Sequence, residues 1–422
     1  MGGKRLKKIL FITNRLPFPK VDGRKNILMQ YIENIKHNYS NSKILNVSFV
    51  DEKEYLKNVP DEIDRLIELE KPGFLSKLYN VLLYSLILRK WPLQVSLYYS
   101  KKNHEYIKKI VEEEAPDTII YDMVRTAEYV VPGTDTQLIM NYDDMLSLRY
   151  KRQLAHLKYS PSILGGMSKK VPKIMRRLVE WTVLKKFILN FESKLLYKYE
   201  TDIATRYDGI VFTSPKEAER FAVLTNHSNC IGIPMHFEVE EGEIKQPFTS
   251  NRLVFVGKMD IPHNISAVLF FCENIWPKIK EKYSDVEFHI IGKNPTREVQ
   301  ALQNQYLGVK VVGEVEDVKK ELVDAAIFVA PLIFGTGIKT KIIEALSMEI
   351  PVVTTSIGAE GIEYRNEYHM FVGDDPELQV RYISRLLDNH KLRKEIGSQG
   401  KKMVSEAYSK DMMSQKWKII IK

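Results

Sequence analysis

Residues 331–355, "PLIFGTGIKTKIIEALSMEIPVVTT", set Gly335, Gly337, Lys339, Lys341 and Glu344 between two apolar runs that read as strands. Glycines in a strand-to-helix joint let backbone N–H groups close on an anion, and the positive end of the helix dipole adds to the attraction. A phosphate group is the expected occupant. With a helix beginning near Ile338, Lys341 falls in the first turn and places an ammonium on that anion. Glu344 lies one turn further along the same face, about 4.5 Å up the axis at roughly 1.5 Å per residue. That offset suits a diphosphate beside Lys341 and a ribose diol donating two hydrogen bonds to the Glu344 carboxylate. Taken singly, each residue also has a structural reading: turn glycines, solvated helix lysines, a salt-bridge glutamate.

Such a joint needs a sheet to project from. Apolar runs at "KILFIT", "KILNVSFV", "DTIIYD", "QLIMN", "GIVFTS" and "NCIGI" alternate with helix-period segments through residue 233. The rhythm restarts at "RLVFVG", "VEFHIIG", "VKVVG", "AIFVAPL" and "IPVVTT", with a weaker strand at "HMFVG". Alternating strands and helices rich in Val and Ile predict an α/β protein with two doubly wound parallel sheets. The expected domains are 1–233, then a charged, proline-bearing linker at 234–250, then 251–407, with a C-terminal helix 408–422 packing back on the first. Residues 55–110 read as a helical, aromatic-rich insertion, and the tail from Leu392 reads as helical to its end.

At 422 residues the chain exceeds what one hydrophobic core usually holds. Its two cysteines, Cys230 and Cys272, sit in apolar contexts, so neither a disulfide framework nor a thiolate metal site is expected, and a reducing compartment is. The opening run "ILFIT" is too short for a secretory core and flows into a charged loop. No segment approaches the roughly 18 apolar residues of a membrane span. The net charge is +9 and uneven: residues 149–198 carry thirteen Lys and Arg against Glu180 and Glu192. Within it, "KKVPKIMRRLVEWTVLKKFILNF" interleaves bulky apolar residues at helical spacing, as a helix lying on an anionic bilayer does, or as an amphipathic helix with a solvated basic face does. No nucleic-acid-binding module accompanies the charge.

The run G-x-G-x-K-x-K-x-x-E-A-L-S-M, followed by "PVVTTSIGAEGI", closely resembles the nucleotide-sugar site of the retaining group 1 glycosyltransferases (family 4), which have the GT-B fold, and within them the bacterial exopolysaccharide sugar-transferase branch. The resemblance covers the chain, most strongly from about 250 to 400, and includes "FVGKMDIPHNISAVLFFCENIWPKIK" and "GVKVVGEVEDVKKELVDAAIFVAPL". It implies two Rossmann-like domains facing a central cleft, with Lys341 on the donor diphosphate and Glu344 on the donor ribose. Gly257 and Lys258 match a position where the family usually has Gly-Arg and where a cation meets the same phosphates. Gly313 and Val315 match the loop whose backbone receives the nucleobase, and Gly358, Ala359 and Glu360 fall in a loop that approaches the donor. One departure stands out: many members carry a Glu-x7-Glu pair, and here Thr336 stands eight residues before Glu344. The exopolysaccharide branch also lacks that first acid.

On the acceptor side, Gly23 and Arg24 in "RLPFPKVDGRKN" fit the family's glycine loop facing the cleft. The stretch "LIMNYDDMLSLRYKR" resembles the branch's D-x-x-D-x-x-S pattern, with Asn141 in place of the first acid and Asp144 and Ser147 retained. Asp144 is the first candidate for contacting the reacting sugar or acceptor hydroxyl, and Asp143 the second. A helix N-cap role for one of these aspartates is the alternative. Glu192 and Glu200 read as architectural. No histidine lies in metal-ligand spacing, and no metal or other cofactor is expected.

Taken with these features, the resemblance implies a retaining hexosyltransferase-type glycosyltransferase, cytoplasmic, either free or held at the inner face of the cell membrane. It would move a sugar from a nucleoside-diphosphate sugar to a hydroxyl of a surface polysaccharide or lipid-linked glycan precursor. A sugar-nucleotide epimerase of the same fold, or a non-catalytic glycosyltransferase-like partner, is the alternative.

Overall fold

The structure is a computed structural model and describes residues 6–133, 135–160, 182–239 and 251–422. The chain divides into two compact units, drawn from the described residues within Met1–Leu148, Phe191–His236 and Lys410–Lys422 for the first and Arg149–Asn190 and Phe237–Ser409 for the second.

In chain order the first unit holds β1 (Lys7–Thr13), α1 (Gly23–Asn38), β2 (Ser42–Phe49), β3 (Arg65–Leu69), α2 (Phe74–Asn80), α3 (Leu93–Ser96), α4 (Lys101–Glu114), β4 (Thr118–Asp122) and β5 (Gln137–Asp143). Helices α5 (Leu146–Ala155) and α6 (Thr182–Ile203) follow, each crossed by the division between units, and then β6 (Gly209–Phe212), α7 (Pro215–Thr225) and β7 (Cys230–Gly232). The seven strands pair in parallel in the order β3-β2-β1-β4-β5-β6-β7. The central strands are apolar on both faces, with Ile9, Leu10, Phe11 and Ile12 all fully buried, as a sheet covered on two sides requires.

The second unit repeats the scheme with β8 (Arg252–Val256), α8 (Pro262–Asn274), α9 (Trp276–Lys282), β9 (Glu287–Ile291), α10 (Arg297–Gln305), β10 (Val309–Gly313), α11 (Val318–Val323), β11 (Ile327–Ala330), α12 (Thr340–Ser347), β12 (Val352–Thr354), β13 (Phe371–Val372), α13 (Pro376–Asp388) and α14 (His390–Ala407). Six parallel strands run β10-β9-β8-β11-β12-β13. Successive residues of β8 feed opposite cores: Leu253 and Phe255 pack with Phe271 and Trp276, and Val254 packs with Phe328 and Ile342. Strand order reverses at β1/β4 in one sheet and at β8/β11 in the other, and ligands of such folds bind beyond the carboxyl ends of the strands at that switch point.

Three expectations need correction. The segment 55–110 is not wholly helical, because Arg65–Leu69 forms the edge strand β3; its half-buried alternation is short and lies among helix-period residues. The tail is not helical throughout: α15 (Lys410–Ile420) begins two residues after the expected 408 and ends before the last two residues, and α14 stops at Ala407. There the Tyr408 carbonyl accepts from the Phe237 N–H at 2.9 Å, which takes it out of the helical ladder. Residues 149–160 and 182–190 belong with the second unit rather than the first. The cause is visible in polar ties from α5 and the turn after it: Arg152 to Gly335, Arg149 to Thr336, Lys158 to Glu273. Residues 161–181 of the basic segment and 240–250 of the expected linker lie outside the described residues. Helix α15 returns to the first unit, where Trp417 is fully buried with its ring edge-on to Tyr31 at 4.9 Å.

Candidate functional site

In the second unit the loops leaving β8, β9 and β10 lie tightly against one another. The Gly257 N–H donates to the Ile291 carbonyl at 3.0 Å, and the Gly292 N–H to the Gly313 carbonyl at 2.7 Å. Gly292 has a φ of +146°, and a Cβ there would come within 1.9 Å of the Gly257 oxygen, so only glycine fits. Gly313, at φ +81°, ends β10 facing open space, and Val315, partly buried, packs against the core that holds Phe328 and Ile342.

Lys341 sits in the first turn of α12, which starts at Thr340, two residues later than expected, and has no side-chain cap. Its ammonium donates to Asn264 Oδ1 at 2.5 Å and lies 4.4 Å from the centre of the Phe255 ring. The Asn264 amide in turn donates to the Lys258 carbonyl at 2.9 Å. A Cβ on Gly257, just after β8, would stand 2.6 Å from the Lys341 ammonium, so the two lie in close contact. Burial, followed by the neighbouring Lys339 charge, pushes the Lys341 ammonium down to about 7, against the pull of Glu344. Glu344, partly exposed one turn on, has its carboxyl raised by burial, with Lys319 and Lys341 opposing. His263 lies beside this group. Burial first, then the charges of Lys341, Arg149 and Lys339, hold its imidazole well below the usual range.

The glycine turn itself is shaped from beneath. Gly335 and Gly337 have φ of +147° and +68°. Lys339 is 6% exposed and its ammonium donates to the carbonyls of Thr336 (2.9 Å) and Gly337 (2.7 Å). The Arg152 guanidinium donates to the Gly335 carbonyl at 2.7 Å and grips the Glu360 carboxylate in bidentate fashion at 2.5 and 2.9 Å. Glu360 thus ties the turn after β12, with Gly358 and Ala359, to the glycine turn. Gly358 is required there, since a Cβ would meet Thr354 Oγ1 at 2.0 Å. Lys258, by contrast, is exposed, with its ammonium 3.9 Å from Asp260. Asn264, Arg149 and Arg152 were not among the residues singled out by sequence. Asn264 had a usable signal, since "DIPHN" follows the first strand end of the second unit.

In the first unit the equivalent strand ends gather a second polar cluster. Gly23 opens α1, capped by the Asp22 side chain on the Lys25 N–H. The Arg24 guanidinium pairs with Asp122 at the end of β4 and with Asp143 at 2.7 Å. Asn141 donates to the same Asp122 carboxylate at 3.1 Å. Asp122 is 1% exposed, and burial raises its carboxyl against the pull of Arg24. It too was missed, although it is the last residue of the strand run "DTIIYD". Asp143 has a φ of +69°, in the left-handed region that costs a non-glycine residue strain, and its carbonyl is held by the Thr213 N–H and hydroxyl at 2.9 and 2.8 Å. Asp144 is 2% exposed, its charge bearing on both Arg24 and Glu200. The first turn of α5 meets other carboxylates: Glu200 accepts the Ser147 hydroxyl at 2.5 Å and Glu217 accepts the Met145 N–H at 3.3 Å. Glu192 accepts the N–H groups of Leu93 and Gln94 at the start of α3.

Residues 250–389 match a family model described as Glycosyl transferases group 1. A protein of Klebsiella pneumoniae, described as an uncharacterized 44.6 kDa protein in the cps region, is 26% identical over 250 residues, which are 57% of this chain and 63% of that protein. The chain therefore spans less than two thirds of that relative. Among solved structures, TarM aligns over 99% of both chains with a TM-score of 0.67 and 12% identity. An S. aureus TarM variant in complex with Fondaparinux, alpha-GlcNAc-glycerol and UDP aligns with a TM-score of 0.66 at 12% identity, over 99% of this chain and 100% of that one. Sucrose-phosphate synthase from Thermosynechococcus elongatus aligns over 98% of this chain and 97% of that one, with a TM-score of 0.65 and 13% identity. The two parallel sheets and their helices are those of the GT-B glycosyltransferase fold.

Proposed function

We propose that this chain is a retaining glycosyltransferase that moves a hexosyl group from a nucleoside-diphosphate sugar to a hydroxyl of a surface polysaccharide or its lipid-linked precursor. The carrying observation is the Lys341 ammonium, bonded to Asn264 above the Phe255 ring and crowded by other cations at the uncapped start of α12. Such a group gains most when an anion arrives. In this reading Lys341, the amides of the Gly335–Gly337 turn and the α12 N-terminus stabilise the departing diphosphate, with Lys258 reaching it from the end of β8. Glu344 accepts from the ribose hydroxyls, and the backbone of Gly313 and Val315 receives the base. Lys339 and Glu360 act by fixing the turns, and Gly358 and Ala359 line the approach to the donor.

The bond between the anomeric carbon and the diphosphate oxygen breaks, and one from that carbon to the acceptor oxygen forms on the same face. The acceptor proton passes to the leaving diphosphate or to a base, for which Asp144 is the first candidate and Asp143 the second, with Gly23 and Arg24 on the acceptor side. The chemistry asks for no resident metal or cofactor, because fixed cations and helix amides meet the charge that develops. Support comes from the family model matched over 250–389 and from the UDP held by the TarM variant. In this reading the enzyme works in the cytoplasm, either free or, with a lipid-linked acceptor, at the inner face of the membrane.

The test is calorimetric titration with nucleoside diphosphates, followed by assay of the stabilised nucleotide sugars with and without glycan acceptors. Binding and acceptor-dependent transfer are expected. Absence of both binding and donor turnover refutes the reading in favour of a non-catalytic partner, and an epimerised free nucleotide sugar without acceptor refutes it in favour of an epimerase.

A further inference from the structure

The segment from Phe74 to Lys90 is amphipathic the wrong way round. Helix α2 continues through a π-helical stretch, Val81–Ile87, closed by the Leu88 N–H on the Leu83 carbonyl at 2.9 Å. Its inward residues are polar. Asn80, 4% exposed, donates to the carbonyls of Ser96 and Tyr99 at 3.1 and 2.9 Å, and the fully buried Ser85 hydroxyl meets that of Ser96 at 2.8 Å. Trp91 stacks on Tyr84 at 3.9 Å and fastens the far end. The outward residues are the apolar ones: Leu75 is 78% exposed, Tyr79 59%, Leu82 47%, Leu86 46% and Ile87 70%. Positions 75, 79, 82 and 86 recur at helical spacing, so they form one continuous ridge rather than scattered exposures.

Charge decides what covers such a ridge. Between residues 71 and 100 there are four cations and no Asp or Glu. Lys77, Arg89 and Lys90 flank the ridge, and none of the three is ion-paired with a described residue. Leucines projecting outward, a tyrosine among them and unpaired cations at the margin fit the boundary between acyl chains and anionic headgroups. Fourteen residues in α2 and its π continuation are too few for the roughly 20 that a spanning helix needs. We infer that the Phe74–Lys90 ridge seats the first unit on an anionic lipid surface, lying in the interface rather than crossing it.

The inference goes beyond the transferase reading and does not rest on it, since the experiment reads no sugar transfer. The full chain is floated with vesicles of phosphatidylglycerol and phosphatidylethanolamine, and with phosphatidylcholine vesicles, at low and high salt. Binding to the anionic vesicles, weakened by salt, is expected. The combined substitution Leu75→Gln, Leu82→Gln and Ile87→Gln keeps good helix formers at exposed positions and should retain the wild-type melting temperature. It should lower vesicle partition by on the order of tenfold or more. Lys77→Gln, Arg89→Gln and Lys90→Gln together should remove most of the salt-sensitive part. Failure of the wild type to bind, equal binding to neutral vesicles, or unchanged binding by the folded leucine variant overturns the inference. So does a lipid-free dimer that the leucine variant dissolves, which would make a second copy the natural cover.

Discussion

Lys341 takes its character from Asn264, Phe255 and Lys339, of which only the last is near it in sequence. Its folded value of about 7 lies far below that of a free lysine, so the charged form is the one the fold disfavours. The cost is fully present below pH 7 and disappears as pH rises toward the unfolded value of about 10.4. Lys341→Met, which keeps the stem and deletes the charge, should therefore melt at or above the wild-type temperature at neutral pH. It should also lose nucleoside diphosphate affinity and about 10²-fold or more in turnover. In the wild type, affinity should hold up to about pH 7 and weaken above it as the ammonium deprotonates, whereas the variant's weak binding should be flat over that range. Calorimetry and thermal melts on the same samples check both halves, and a variant that binds as well as wild type removes Lys341 from the site. Spacing alone brings Gly335, Gly337, Lys341 and Glu344 into one short segment, at the start of α12. Arg149 and Arg152 were not legible, because each reaches its partner through tertiary contact from another element, and Asn264 had only its place after a strand end to mark it.

At the scale of elements, α6 supplies two buried carboxyls that receive the starts of other helices. Glu192 takes two N–H groups of α3, and burial, opposed by those bonds, still raises it to about 7. Glu200 takes the hydroxyl and N–H of Ser147 at the start of α5, and burial raises it to about 8 against those bonds, with Asp144 adding to the rise. Both bind a proton more tightly folded than unfolded, so stability is highest below the unfolded carboxyl range and falls as pH rises from there. Each group contributes a slope of at most about 1.4 kcal/mol per pH unit, and above pH 7 only Glu200 still adds to it. Glu200→Gln should flatten the loss of melting temperature between about pH 5 and 8, most clearly in the upper part of that window, because the amide does not ionise. An unchanged profile would show that Glu200 is not the group titrating. Both glutamates read as architectural in the sequence, and these bonds to the starts of α3 and α5 are what that role consists of. The edge strand β3 was not, since five residues with only two fully buried carry too little alternation to stand out.

Over the whole molecule, the two-sheet rhythm was legible because buried parallel strands are runs of Ile, Val and Phe that need no partner to be recognised. Which unit a helix serves was not, since α5 and α6 are each shared between units and only their polar ties reveal it. The first unit is built from three separate stretches of chain, and the last of them is anchored through α15. Its Trp417 packs edge-on against Tyr31, the Asn38 amide donates to the Ser414 carbonyl at 2.5 Å, and Gln137 donates to the Ile420 carbonyl at 2.8 Å. Ile420 comes so near β6 that a Cβ on Gly209 would stand 2.8 Å from its side chain. A helix fastened this way is part of the first core, and removing its largest side chain leaves a cavity there. Trp417→Ala should cost the first unit about 3–5 kcal/mol, seen as an earlier transition in urea unfolding. Lys341, Asn264 and Phe255 belong to the other unit, so nucleoside diphosphate affinity measured below that transition should stay within a factor of about two of wild type. Joint loss of affinity and stability would mean that the second unit's pocket depends on the first core, and the separation of binding from the α15 anchor would fail.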